Sequence, residues 1–215
     1  MNIKALSNKD RLRSRNVTRW HTVDTSRRQT VAEHSHCMSI IAESLLKGLY
    51  KNTNKSPSLE EKYWALKYSQ AHDLAEIITG DISSVFKKML KNTSVDFDAI
   101  NDGFECQLVP EMAEVKEFIK RYPYFELMLK AADILEGLDF FKYGKGLDTE
   151  HNEIIERKML DALKTIAEHG TALHPEFNWN AIEETRVDIF FGESAILNFE
   201  TVNLVDHMET LKSVG

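Results

Sequence analysis

Apolar residues recur at three- and four-residue spacing along most of this chain, and that spacing commits it to helices. Val31, Met38, Ile41, Leu45 and Leu49 form one such stripe. Phe125, Met128, Leu129, Ala132, Leu135, Leu138 and Phe141 form a denser one. Only four prolines and nine glycines punctuate the 215 residues, and alternating runs of strand type are scarce. The expected fold is all-α: one compact helical domain over residues 1–215, with a core at about 10–145 and a helical extension at about 146–215.

Start and stop signals divide the pattern. Thr30-Val-Ala-Glu33 and Ser58-Leu-Glu-Glu61 read as capping boxes, in which each terminal side chain satisfies the other residue's amide. The first opens the 31–49 helix. The second opens a helix expected to run through Tyr63, Trp64, Leu66 and Ala71 to about Ile78. Lys51–Pro57 is a polar loop, and Gly80 is a cap or turn glycine. Shorter helices are expected at 83–90, 97–109 and 111–120, with a turn at 92–96. Tyr124–Tyr143 is the most apolar helix and closes at Gly144-Lys-Gly146. An amphipathic helix over 152–169 leads to a loop at His174-Pro175 and a tail of weaker helical pattern.

Composition narrows the function. Hydrophobic residues make up 42% and charged residues 28%, as in ordinary folded domains. A net charge of -7 argues against a role in nucleic-acid binding, despite a basic stretch between Lys9 and Arg28. Cys37 and Cys106 are too few for a disulfide framework or a thiolate zinc site. No apolar run resembles a signal peptide or a membrane span, so a cytoplasmic protein without a membrane partner is expected.

Three core-facing segments carry chemistry that a plain core does not need. Asp133 lies in the middle of the most apolar helix, where an acid is costly unless paired or bound to a cation. His72-Asp73 interrupts another apolar segment, and His34 sits one turn into a third, on the side of Ile41 and Leu45. Two imidazoles and two carboxylates suit a divalent ion such as Co²⁺, Mn²⁺, Fe²⁺, Zn²⁺ or Mg²⁺. Four protein ligands on an ion that prefers six leave room for water and a phosphate oxygen, a catalytic layout.

The order His34…His72-Asp73…Asp133 resembles the HD-domain phosphohydrolases. The longer strings Arg19-Trp20, Gln29-Thr-Val-Ala-Glu-His-Ser35, His72-Asp-Leu-Ala-Glu-Ile-Ile-Thr-Gly-Asp81 and Lys130-Ala-Ala-Asp133 are similar to YfbR-type deoxynucleotidases and to HD-domain deoxynucleoside triphosphohydrolases of some phages. The resemblance implies that His34, His72, Asp73 and Asp133 hold the metal and that Glu76 orients or deprotonates the attacking water. It further implies that Asp81 accepts the sugar 3′-hydroxyl, that Arg19 grips phosphate, and that Trp20 packs against the deoxyribose, excluding a 2′-hydroxyl. Plainer readings stand beside these: a surface Glu76–Lys pair, Asp81 as an N-cap, Trp20 as a buried anchor. The family commonly forms homo-oligomers.

Two deoxynucleotide reactions then compete. Release of tripolyphosphate from a triphosphate such as dATP calls for cations beyond the metal, and Arg27, Arg28, Lys87, Lys88 and Lys91 stand near the site in sequence. Ile82-Ser-Ser-Val-Phe-Lys-Lys lacks the proline typical of YfbR-type proteins, and His21-Thr22-Val23 departs from their apolar run. Both departures favour the triphosphohydrolase. The alternative is a 5′-deoxynucleotidase acting on monophosphates, and a remoter one is a nucleotide-binding scaffold without catalysis. Lysines on a short helix can equally be a solvated face.

Overall fold

A computed structural model of the chain describes residues 4–82, 84–90, 96–142 and 148–194. Among them there is no strand, only an isolated antiparallel bridge between Thr18 and Thr30. After a short helix α1 (Asn8–Arg11) and a 3₁₀ segment (Leu12–Asn16), the helices are α2 (Val31–Leu49), α3 (Leu59–Ala71), α4 (Glu76–Thr79), α5 (Ser84–Leu90), α6 (Phe97–Leu108), α7 (Glu111–Arg121), α8 (Pro123–Lys142), α9 (Glu150–Leu173) and α10 (Ala181–Phe191).

Both capping boxes form. Thr30 Oγ1 accepts from Glu33 N at 3.2 Å while Glu33 Oε2 accepts from Thr30 N at 2.7 Å. Ser58 and Glu61 do the same at the start of α3. Glu61 is also buried and accepts the hydroxyls of Tyr50 and Tyr124, so one carboxylate joins the end of α2, the start of α3 and the start of α8.

The centre of the molecule is α8. Phe125, Met128, Leu129, Ala131, Ala132, Leu135, Leu138 and Phe140 are all buried. They meet Met38, Leu45, Leu46 and Leu49 of α2 and Leu163 and Ile166 of α9. Each fully buried Leu or Phe contributes about 1.5–3 kcal/mol, so α8 is a large single contributor to the core. A second apolar cluster joins Leu6, Ala71, Leu74 and Ala75 to Leu108, Val109, Met112 and Val115, and it backs the segment carrying His72-Asp73.

One expectation is corrected. The helix opened at Ser58 does not run to Ile78: α3 ends at Ala71 and residues 72–75 form turns before α4. Leu74, Glu76, Ile77 and Ile78 donate to carbonyls three residues back rather than four, which tightens the path. The tightening lets successive residues His72 and Asp73 both reach the same centre. The 143–147 segment, residue 83, most of the 92–96 turn and the tail beyond 194 lie outside the described residues.

Gly80 ends α4 with φ 71° and ψ 170°, a conformation that other residues rarely enter. Open space surrounds the position where a Cβ would sit, so the constraint is backbone strain alone. Gly80→Ala is therefore expected to cost about 1–3 kcal/mol and to displace the neighbouring Asp81. Denaturant unfolding checks this, and wild-type stability in the variant would contradict it.

Candidate metal centre

Three helical segments converge at the N-terminal end of α2. His34 lies one turn beyond the Thr30 cap and is fully buried. Its Nδ1 bonds the carboxylate of Glu136 from α8. A carboxylate only accepts, so Nδ1 carries the hydrogen and Nε2 faces the centre. His72, the residue that caps α3, donates its Nδ1–H to the Tyr68 carbonyl at 3.1 Å, with the Tyr68 ring stacked on the imidazole at 5.0 Å. Its Nε2 faces the centre too.

The two Nε2 atoms stand 3.2 Å apart. Nitrogens that close need a proton or a metal ion between them. Asp133 Oδ1 is 3.4 Å from His34 Nε2, and Asp73 Oδ2 is 3.5 Å from His34 Nε2 and 3.4 Å from His72 Nε2. The donor atoms of His34, His72 and Asp133 all lie within 4.8 Å of one another. Two nitrogens with two carboxylate oxygens match the donor preference of a first-row divalent ion.

The charge states fit that role. Burial, joined by the neighbouring His34 and Arg19, lowers the pKa of His72 against the pull of Asp73 and Asp133. Burial works against ionised Asp133, yet Lys130, His72, His34 and Arg19 hold it down at about 2. Asp73 is likewise held below the usual carboxylate range, against burial, by His72, Arg19 and His34. Arg19 reaches in from the opposite side, Nη1 3.6 Å from Asp73 and Nη2 3.9 Å from Asp133. Its Nη1 is buried without a hydrogen bond.

Glu76 opens α4 close by. Burial first, then the fields of Asp73 and Asp81, push it up to about 9, with Arg19 and Lys87 opposing. Its Oε2 is buried and has no hydrogen-bond partner. Asp81 turns its Oδ2 to the Trp20 amide at 3.2 Å, with His21 Nδ1 3.4 Å away. Lys87 is half-buried and its charge reaches Glu76. The side chain of Lys88, and all of Lys91, lie outside the described residues.

Trp20 has φ 65°, the sole positive value at a non-glycine position among the described residues. Its ring stacks parallel to Phe140 at 6.0 Å and meets Phe141 edge-on at 4.8 Å. Gly137 makes room: a Cβ there would sit 3.3 Å from the indole and 2.6 Å from the Met159 methyl. The indole N–H donates to Gln29 Oε1 at 2.8 Å.

The structure thus gathers Arg19, Trp20, His34, His72, Asp73, Glu76, Asp81 and Asp133 around one point. It adds two residues that sequence reasoning passed over, Glu136 and Gln29. Glu136 lies three positions after Asp133 in the same apolar helix, where an acid needs a partner just as Asp133 does. Gln29 begins the string that contains His34.

Two histidines and two aspartates brought together at one point make a candidate metal centre of the HD phosphohydrolase type. The chain belongs to the 5′-deoxynucleotidase YfbR-like family, which matches residues 10–172. A dATP triphosphohydrolase of Acinetobacter phage SH-Ab 15497 is 28% identical over 181 residues, covering 81% of this chain and 86% of that protein. The dATP triphosphohydrolase of Cyanophage S-2L is 27% identical over 171 residues, covering 76% and 89%. A 5′-deoxynucleotidase of Shewanella oneidensis is 28% identical over 158 residues, covering 68% and 77%. Among solved structures, the Cyanophage S-2L HD phosphohydrolase DatZ, bound to dA and one catalytic Zn²⁺ ion, shares the fold. Its TM-score is 0.65 at 22% identity, over 87% of this chain and 96% of that one.

Proposed function

We propose that this chain is a divalent-metal-dependent phosphohydrolase of 2′-deoxynucleotides that releases tripolyphosphate from a deoxynucleoside triphosphate of the dATP type. The observation that carries the metal-dependent reading is the pair of imidazole nitrogens 3.2 Å apart, each with its other nitrogen already committed to an acceptor. His34, His72, Asp73 and Asp133 would hold the ion. Bound there, it would act as a Lewis acid on phosphorus, lower the pKa of water and offset the negative field that raises Glu76.

The chain's own residues do the rest. Glu76 takes the proton of the attacking water. Arg19, whose fork can bridge two oxygens, holds a phosphate oxygen that enters beside Asp73 and Asp133. Asp81 uses one oxygen to fix the Trp20 amide and offers the other to the sugar 3′-hydroxyl. Trp20, held against Phe140 and Phe141, forms the wall against which a deoxyribose packs and a 2′-hydroxyl does not fit.

The choice of three phosphates rests on two phage relatives named dATP triphosphohydrolases that align over most of their own length. The charge of Lys87 beside Glu76 supports it. A second reading, removal of a single phosphate from dAMP, is favoured by the similarity to the Shewanella 5′-deoxynucleotidase. Incubation with Co²⁺ or Mn²⁺ and chromatography of the products separates them. Deoxyadenosine with tripolyphosphate from dATP is expected. Orthophosphate from dAMP with dATP left intact would install the second reading, and no turnover of either would remove both.

A further inference from the structure

Between Trp20 and His34 runs an unbroken hydrogen-bonded chain. The indole Nε1 donates to Gln29 Oε1 at 2.8 Å, Gln29 Nε2 donates to Glu136 Oε1 at 2.5 Å, and the other Glu136 oxygen accepts from His34 Nδ1. Its polarity is fixed at both ends. An indole can only donate and a carboxylate can only accept, so one orientation of the Gln29 amide serves both. The middle of the chain is sealed from water, with Gln29 2%, Glu136 1% and His34 0% exposed. The Gln29 carbonyl also accepts the Arg19 amide at 2.8 Å, so this residue holds the Arg19 main chain together with the Trp20 ring. Trp20 needs holding, because its φ of 65° is one that a bulky residue adopts only under constraint.

We propose that Gln29 and Glu136 are positioning residues that tie the sugar wall at Trp20 to the metal ligand His34, so that selection against a 2′-hydroxyl and divalent-ion affinity depend on one another. The tie deepens the function proposed above and rests on that reading of Trp20 and His34. Glu136 is the shared element. It has one oxygen for each side, so withdrawal of the Gln29 amide weakens its hold on the imidazole, and loss of its charge frees both the imidazole and the amide. Buried chains of this kind strengthen or fail together. A partner that orients a metal-bound histidine typically changes metal affinity by about 10- to 100-fold when removed.

The polarity also dictates how the tie can be broken and mended. Glu136→Gln turns an amide N–H toward either Gln29 or His34, both of which donate, so one contact becomes donor against donor. Gln29→Glu in the same chain mends it: the carboxylate introduced at position 29 accepts from Trp20 and from the amide at position 136, whose oxygen then accepts from His34. The test measures Zn²⁺ affinity by calorimetry on chelator-treated protein and the ratio of kcat/KM for dATP over ATP, with circular dichroism as the check on folding. Gln29→Leu and Glu136→Gln should each weaken Zn²⁺ binding and lower the dATP/ATP ratio, by about 5- to 100-fold, the effect of one lost buried hydrogen-bond partner. The double variant Gln29→Glu/Glu136→Gln should recover most of the ratio and part of the affinity.

A folded Glu136→Gln variant with wild-type Zn²⁺ affinity or a wild-type ratio overturns the tie, as does a double variant that recovers neither. Should Gln29→Leu not fold, Glu136→Gln and the double variant decide the matter alone. If the wild type neither binds Zn²⁺ nor prefers dATP, the reading of the site fails first and the tie falls with it.

Discussion

Asp133→Asn is expected to strip the protein of its divalent ion and to lower turnover by on the order of 10³-fold or more, the scale of several kcal/mol of lost charge stabilisation. The substitution keeps the shape of the side chain in a closely packed helix, between buried Ala132 and the half-buried Ile134. It removes the charge that Lys130, His72, His34 and Arg19 now hold ionised down to about 2. Metal content of the purified variant and its dATP turnover are the two measurements. Wild-type values for both would remove Asp133 from the centre. A folded, metal-free, inactive protein is the expected product, because α8 buries its other residues independently of this carboxylate.

The second large effect concerns Glu76, and it cuts in two directions. As the residue that takes a proton from water, it should be worth about 10²- to 10⁴-fold in kcat, so Glu76→Gln is expected to lose that much. Metal-free protein should respond in the opposite sense. Burial, Asp73 and Asp81 push Glu76 up to about 9, against an ordinary value of 4.5. Between those two values the unfolded chain has given up the proton and the folded chain has not. The folded state therefore binds more protons, and its stability falls as pH rises through that window. Glutamine resembles the protonated form and lacks the decline. Metal-free Glu76→Gln should match the wild type below pH 4.5 and exceed it increasingly towards pH 9. Thermal unfolding across that range reads the difference directly. A constant gap at all pH values would mean that Glu76 is not the strained carboxylate.

Lost turnover paired with gained stability in Glu76→Gln would mark a residue kept for chemistry. The Oε2 of Glu76 is buried without a hydrogen-bond partner, which is rare in a core.

Local and periodic signals made most of this legible in the sequence. Thr30 with Glu33 and Ser58 with Glu61 marked two helix starts to the residue, because a capping box is written in four consecutive positions. Asp133 stood out because an acid in an apolar helix needs a partner wherever that partner lies. The turns at residues 72–75 were hidden because their sequence, His-Asp-Leu-Ala, keeps a helical pattern while its hydrogen bonds tighten. The tightening is set by what the segment packs on. The bonds from Trp20 to Asp81, 61 residues away, and from Gln29 to Glu136, 107 residues away, have no local signature at all. Trp20's positive φ belongs with them, because nothing near it in sequence asks for a glycine-like conformation.

The double duty of α8 bears on which parts of such a chain can vary. Asp133, Glu136, Gly137, Phe140 and Phe141 supply the proposed ligand, the proposed orienting carboxylate and the aromatic backing from the same twenty-residue helix that fills the core. A change there disturbs packing and chemistry at one stroke, and single steps along it are closed to gradual change. In the connector from Thr18 to Thr30 that double burden falls on Arg19, Trp20 and Gln29, and the exposed positions between them are free of it. The connector is pinned at its neck by the Arg19–Gln29 amide bond and at its far side by Asp24, which meets Thr149 and Asn152. Between those pins Thr22 and Ser26 are exposed, so substitutions there are expected to leave both the core and the candidate metal centre intact.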